Sequence, residues 1–271
     1  MKRDLKIMAK EMVPGGEYDK VVILGKGHIN GNLLCGSFEN SGAGQVDGNV
    51  ECQGELECNG KLHVEGTLSC ESLEVNGSVQ TGDAVTCSTL ELNGSARFSG
   101  GVTCAGDVEI SGKLELSGAL SCKDLECSGM MRVSGSAKCA DVEVTGKCAV
   151  SGDLEADEIQ VNGAIQVEGL LNAERICLTA NPHSVLGEIG GSEITVKRMQ
   201  WYGGFLRGKP ENLKAKVIEG DTIVLEDTTA EVVRGRSVTI GEGCEIDRVE
   251  YSEHLDAAPD TVKHSVRTGE E

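Results

Sequence analysis

Aromatic side chains are scarce in this 271-residue chain, at 3% of the total with a single Trp. An ordinary globular core leans on such rings for bulk, so a thick two-layer interior is not expected. Long apolar runs are missing too. No stretch of 18 apolar residues occurs, and nothing reads as a membrane-spanning helix. Basic residues are outnumbered, with 25 Lys and Arg against 44 Asp and Glu and a net charge of −19. That balance argues against a nucleic-acid partner, which needs a basic stripe to meet phosphates. The opening MKRDLKIMAKEMV lacks the apolar centre of a secretory signal, so the chain is expected to stay in the cytoplasm. Signatures of catalysis are also absent. His28, His63, His183, His254 and His264 have no acid or nucleophile at a recognisable spacing, and there is no P-loop, HExxH or zinc pattern. No catalytic, cofactor-binding or metal residue is therefore nominated, and no cofactor is expected. Disorder is excluded by the 39% apolar content.

What is present is a repeat. Glycines at 25, 42, 60, 77, 94, 112, 129, 146 and 163 open segments such as GKLHVEG (60–66), GKLELSG (112–118) and GAIQVEG (163–169). The step is 17 or 18 residues throughout, which is the mark of a solenoid. Within a period, apolar residues alternate with polar ones in three short bursts. The coil from Gly60 offers Leu62, Val64, Leu68, Cys70, Leu73 and Val75, and the coil from Gly112 offers Leu114, Leu116, Leu120, Cys122, Leu125 and Cys127. Alternation with period two is a strand signal, so three strands and three corners per period predict an all-β, triangular β-helix of about nine to twelve coils. The extra residue of an 18-residue coil falls at a corner within 52–56. Glycine at corners is expected to supply backbone conformations that other residues adopt at a cost. A helical reading fails, because such frequent glycine would cost about 1 kcal/mol each time.

Residues 1–17 differ from the rest. Lys2, Arg3, Lys6 and Lys10 are basic, while Met1, Leu5, Met8 and Met12 recur at helical spacing. Two readings stand: a frayed tail, or an amphipathic segment whose Lys2, Arg3, Leu5, Lys6, Met8 and Met12 contact an anionic membrane surface. Residues 18–198 carry the repeat, ending in an irregular coil over 180–198. Residues 199–216 break it and hold Trp201, Tyr202 and Phe205, as a loop or a partner-binding patch. Residues 217–253 resume alternation as terminal coils or a cap, and 254–271 read as a disordered polar tail.

Stacked coils place residues one period apart in columns. One holds Cys35, Cys52, Cys70, Cys87, Cys104, Cys122 and Cys139, continued by Ala156 and Ala173. The change to alanine points to packing of a small apolar residue rather than to metal or disulfides. Cys177 sits at a polar position and is the candidate for an accessible thiol. Another column holds Glu39, Glu57, Glu74, Glu91, Glu109, Glu126 and Glu143, on a face pointing outward. Neighbouring charges about 5 Å apart repel by roughly 0.9 kcal/mol before screening. The column reads as a solvated face that opposes sideways aggregation, or as a strip for cations or a basic protein. On either reading, added salt or Mg²⁺ is expected to promote bundling.

The repeat, with GEIGGSEITVKR (187–198) and EGDTIVLEDTTAEVVRGRSVTIGEGCEIDRVEYSE (219–253), resembles the bactofilins, polymer-forming cytoskeletal proteins of bacteria, in their Gram-positive variety. The resemblance implies a right-handed β-helix, nucleotide-independent filaments built end to end, and a scaffold at the inner face of the cytoplasmic membrane that meets cell-envelope proteins. This chain departs from the usual pattern in its extra coils and in residues 199–251. Physics gives assembly a motive of its own, since a terminal coil exposes unpaired backbone and core that a second copy can complete. The contact residues nominated are Val21, Ile23, Ile29, Leu33 and Phe38 at one end and Val238, Ile240, Ile246 and Val249 at the other. Two alternatives are a monomeric β-helix that binds a partner along one face, and a left-handed hexapeptide acyltransferase. The latter keeps strict 18-residue coils, unlike the 17 that dominate here.

Overall fold

The computed structural model describes residues 3–179, 181, 183–198 and 212–268. Among them every regular element is a β-strand. The strands pair in parallel, each with its counterpart one period away, as a β-solenoid of about 15 turns. No helix among the described residues is long and apolar enough to cross a membrane. The chain divides into two compact units, Met1–Ala137 and Lys138–Glu271.

In the first unit, after the long strands Lys10–Ile23 and Lys26–Asn40, each turn is made of three short strands. Glu55–Cys58, Lys61–Val64 and Leu68–Ser69 form one turn; Ser72–Val75, Ser78–Thr81 and Val85–Cys87 form the next. Glu57 pairs with Glu74, His63 with Gln80 and Ser69 with Thr86, so all three faces advance by 17 residues. Cys35 pairs with Cys52 but Phe38 pairs with Leu56, which puts the extra residue of that coil at the predicted corner. Leu62, Val64, Leu68, Cys70, Leu73 and Val75 are buried, as the alternation predicts. In the coil from Gly112, Cys122 is only half-buried while its inward partners are buried. Each enclosed Leu or Val contributes about 1.5–3 kcal/mol, which offsets the roughly 1–2 kcal/mol per residue of backbone ordering.

The leading glycines serve a purpose other than the one expected. Among the described glycines, positive φ occurs only at Gly16, Gly31 and Gly243. At Gly60, Gly77, Gly94, Gly112 and Gly129 a Cβ would overlap the carbonyl oxygen of the preceding coil's glycine. Glycine is required there by the close approach of stacked backbones, not by a left-handed conformation.

The second unit begins with the same step, with Asp141 paired to Glu158 and Lys147 to Ala164. Its strands then lengthen: Ala164–Thr179, Val185–Lys197, Leu213–Leu225, Thr228–Ile240 and Glu245–Ala257 run on through their corners. Ile218 pairs with Val233 and Val233 with Val249, steps of 15 and 16 residues. Gly191, Gly220 and Gly235 stack at one tightened corner. Residues 217–253 are thus further coils rather than a cap, and they resume at Leu213. The aromatic segment with Trp201, Tyr202 and Phe205 lies outside the described residues. Its described flanks return to one corner: Arg198 Nε donates to Asp227 Oδ2 at 2.9 Å, and Asn212 Nδ2 donates to the Gly243 carbonyl at 2.8 Å. Asp227 holds φ at 43°, and the ion pair with Arg198 fixes it in that strained conformation.

Both expected tails turn out to be strands. Arg3–Ile7 and Lys10–Ile23 form the first coil in place of a frayed or helical segment, and Glu245–Ala257 with Val262–Arg267 form the last. A polar segment with little core of its own can still order this way. The exposed edge of a finished coil already offers it a full row of backbone partners.

Candidate self-assembly interface

The solenoid's first and last rungs carry the open edges. Arg3–Ile7 pairs with the Tyr18–Ile23 part of the next rung, and Lys10–Pro14 pairs with Lys26–Asn30. No strand among the described residues pairs with the outer edge of either segment. Tyr18 is the buried plug of this rim, at 2% exposure. Its hydroxyl donates to the Pro14 carbonyl at 3.2 Å, and the Arg3 guanidinium lies 5.5 Å from its ring centroid. Leu5 and Val13 are half-buried beside it. In the second unit Val262–Arg267 pairs, among the described residues, only with Glu245–Ala257, which leaves its outer edge open together with that of His254–Ala257. Leu255 and Val262 are the half-buried apolar groups there.

The nominated contact residues do not lie on these rims. Val21, Ile23, Ile29, Leu33, Phe38, Val238, Ile240, Ile246 and Val249 are all at 1% exposure or less. Leu5 stacks over Val21 and Ile7 over Ile23, while Ile246 is covered by Val262 and Val249 by Ser265. Because the two polar ends add a coil each, the nominated set is core, and Leu5, Val13, Leu255 and Val262 take its place. Of the membrane set, Lys2 lies outside the described residues. Arg3, Lys6, Met8 and Met12 are exposed and Leu5 is half-buried. They lie on strands and a corner, so helical spacing is not what gathers them. Among the described residues, Met8 and Met12, 60% and 66% exposed, are the most exposed large apolar side chains.

The sides of the first unit divide by charge. One face carries the acidic column, with Glu39 through Glu126 in unbroken register. Asn59, Asn76 and Asn93 each donate to the glutamate two residues earlier, at 2.6–2.8 Å. Asn76 and Asn93 also donate to the asparagine one coil below, at 3.0 Å. These donors hold the like charges in line. The second face is nearly uncharged, a column of Ser69, Thr86, Thr103 and Ser121 that follows the carboxylate of Glu51. The third is basic. Its outward columns place Lys10, Lys26, Lys61, Arg97, Lys113 and Arg132 on one side, where they outnumber Glu115 in the same columns, Glu11 in the hollow beside Lys10, and Asp47 next to His28. Arg97 and Lys113 both bind Glu115, which holds its carboxyl well below the usual range, at about 2, chiefly through Lys113. Where Ala43 replaces a long side chain, a hollow of about 490 Å³ opens between Lys10, Lys26 and Lys61, with His28 and His63 beside it. His28 Nε2 lies 2.6 Å from Asp47 Oδ2. Sequence reasoning missed this face. Its signal was the first burst of each coil, where GKLHV, GSARF, GKLEL and GMMRV place a base at an outward position.

None of the twelve cysteines is joined in a disulfide. In the ladder, Cys52 donates to the Glu55 carbonyl at 3.2 Å and Cys104 to the Ser88 carbonyl at 3.2 Å. The thiol thus satisfies corner carbonyls that alanine would leave to water. Burial pushes Cys70 up to about 12 and Cys127 to about 11. Cys87 donates to Cys104, which raises the Cys87 thiol and lowers that of Cys104 to about 7. Cys177 is half-buried, as is Cys122. Among the described residues, no group of three or more His, Cys, Asp or Glu is arranged to hold a metal ion.

Comparison with known proteins agrees with this architecture. The family model for bactofilins, described as polymer-forming cytoskeletal, matches residues 16–84 and 76–172. Two proteins of Bacillus subtilis strain 168 are similar in part. Uncharacterized protein YhbF is 49% identical over 72 residues, 27% of this chain and 29% of that protein. Uncharacterized protein YhbE is 44% identical over 66 residues, 24% of this chain and 28% of that protein. The chain thus covers less than a third of either relative's length. No solved structure matches.

Proposed function

The chain belongs to the bactofilin family of polymer-forming cytoskeletal proteins, and from that premise we propose that it is a scaffold subunit whose copies stack end to end into filaments without nucleotide. The observation that carries the reading is the pair of open rims. A parallel strand edge that no described segment covers is a template for another copy, and stacking would continue both the hydrogen-bond ladder and the core. Leu5 and Val13 at one rim, and Leu255 and Val262 at the other, are the apolar groups that such a joint would bury.

The filament's place in this proposal is the cytoplasm, against the inner face of the cytoplasmic membrane. Exposed Met8 and Met12 beside Lys6 and Lys10 support it, since they join apolar insertion to attraction for anionic lipid. One such patch binds weakly, but a filament presents many at once. Cell-envelope proteins are the further partners the reading expects.

Electron microscopy of the purified chain, with and without nucleotide, tests assembly. Filaments are expected in both conditions, and Leu5→Asp combined with Leu255→Asp should leave dispersed particles of unchanged circular dichroism. Unaltered filaments from that variant would remove the rims from the account. Sedimentation with anionic vesicles tests the membrane contact. Met8→Ser with Met12→Ser should lower binding, and equal binding by both proteins would count against it.

A further inference from the structure

Two faces of the first unit carry opposite charge on one common repeat. The outward bases run along one side, at Lys10, Lys26, Lys61, Arg97, Lys113 and Arg132, and the acidic column runs along another. Both are built on the same rungs, so both advance by one coil rise, about 4.8 Å. When a basic face lies against an acidic one with axes parallel or antiparallel, the spacings stay commensurate along the whole unit. Within one copy the two faces point in different directions and cannot satisfy each other.

We propose that copies associate side by side through these faces, the basic face of one against the acidic column of the next. The occupant is a second copy because a solenoid of this rise stays in step with the rung spacing along the whole unit. Small side chains stand between the bases (Ala43, Ser78 and Ser95), and they leave room for glutamates to reach between the lysines. The contact is heterologous: each copy uses one face to give and another to receive. It therefore propagates sideways instead of closing as a dimer. The net charge of −19 opposes this at long range, yet at physiological ionic strength the Debye length is about 8 Å. Repulsion between whole copies is thereby screened, while contacts between faces persist. A polyanion or lipid surface would meet the neighbouring acidic column at its flank, whereas a second copy turns that column to use. The inference also reverses the sign expected from sequence, for high salt should loosen lateral contacts and not promote them.

The test uses the full chain and two charge-reversed variants. In one, Lys26→Glu and Lys61→Glu turn the basic face acidic. In the other, Glu109→Lys and Glu126→Lys turn the acidic face basic. All four positions are exposed, so the fold should persist by circular dichroism. At about 0.1 M salt the unaltered chain should form laterally associated assemblies, read by sedimentation and by assembly width in electron microscopy. Each variant alone should need at least about tenfold more protein to do so. An equimolar mixture should recover association, because two acidic faces then meet two basic ones. The proposal is overturned if either variant associates like the parent or if the mixture stays unassociated. It is equally overturned if the unaltered chain does not associate but binds vesicles of anionic lipid, with Lys26→Glu and Lys61→Glu abolishing that. The last result would assign the face to a membrane. End-to-end assembly is read separately, from filament length in the same images.

Discussion

The coils from about residue 43 to 133 and those from 213 to 257 solve the same electrostatic problem in opposite ways. In the first set, the glutamate column repeats the same sign on every rung, and only the stretch Arg97–Glu115–Arg132 alternates. Glu57, Glu74 and Glu91 stand in line with only asparagine amides to relieve them, and the bases are collected on another face. In the second set the sign alternates from rung to rung. Arg234 sits between Glu219 and Glu250, at 3.7 and 2.9 Å, and Arg236 lies between Asp221 and Glu253, at 4.0 and 2.7 Å. Both arginines are held above their usual range, first by Glu250 and by Glu253 respectively. The later coils are neutralised within their own face, while the earlier ones keep their charge for something else. A repeat protein gains this choice because stacking energy comes from the backbone and the core, which leaves outward positions free to vary.

The corners give the largest expected contrast. Gly94→Ala should destabilise the protein strongly, by about 2–4 kcal/mol, because its Cβ would overlap backbone alone, the carbonyls of Gly77 and Asn76. Gly241→Ala meets the flexible Glu226 Cγ and the Leu225 carbonyl oxygen, both at 3.1 Å, a far looser fit, and should cost much less. Chemical denaturation of both variants decides it, and equal losses would end the close-approach explanation.

A second contrast lies in the thiols. Buried Cys70 and Cys127, both raised by burial, should resist an aromatic disulfide reagent in the native state, while Cys177 and Cys122 react first. Mass spectrometry of partially labelled protein gives the order, and early labelling of Cys70 would contradict the packing reading of that ladder.

Smaller effects should follow the charges. Glu57→Gln, which removes one member of a like-charged column, should hold stability or raise it slightly, whereas Arg234→Gln should lower the Tm, more so at low salt. Opposite signs are the prediction, and the same sign would erase the comparison. For Glu115 the folded carboxyl is depressed to about 2, so its stabilisation is present above the unfolded value near 4.5. That contribution is lost as pH falls from about 4.5 towards 2. Glu115→Gln should flatten the acid limb of the stability profile, and an unchanged limb would show the pairing to be inert.

The interior was legible in the sequence because alternation and the glycine period impose themselves on every turn; Leu62, Val64, Leu73 and Val75 could be placed by spacing alone. The ends were not. Residues 3–17 and 254–267 carry few inward apolar groups, and what orders them is the open edge of the neighbouring coil, which no local pattern records. The nominated rims were displaced for that reason, with Phe38 left deep in the core. The acidic column was visible because Glu recurs at each coil. The basic face escaped because its positions alternate among Lys, Arg, Ser, Ala and Met, and because a net charge of −19 averages it away.

Cryo-electron microscopy of filaments grown without nucleotide tests the central claim of open rims most directly. The account predicts that the rung spacing of about 4.8 Å continues without a break through each subunit junction, where Leu5 or Val13 and Leu255 or Val262 lie buried. Particles that remain single, or filaments whose subunits meet only along their faces with both rims in solvent, would contradict it.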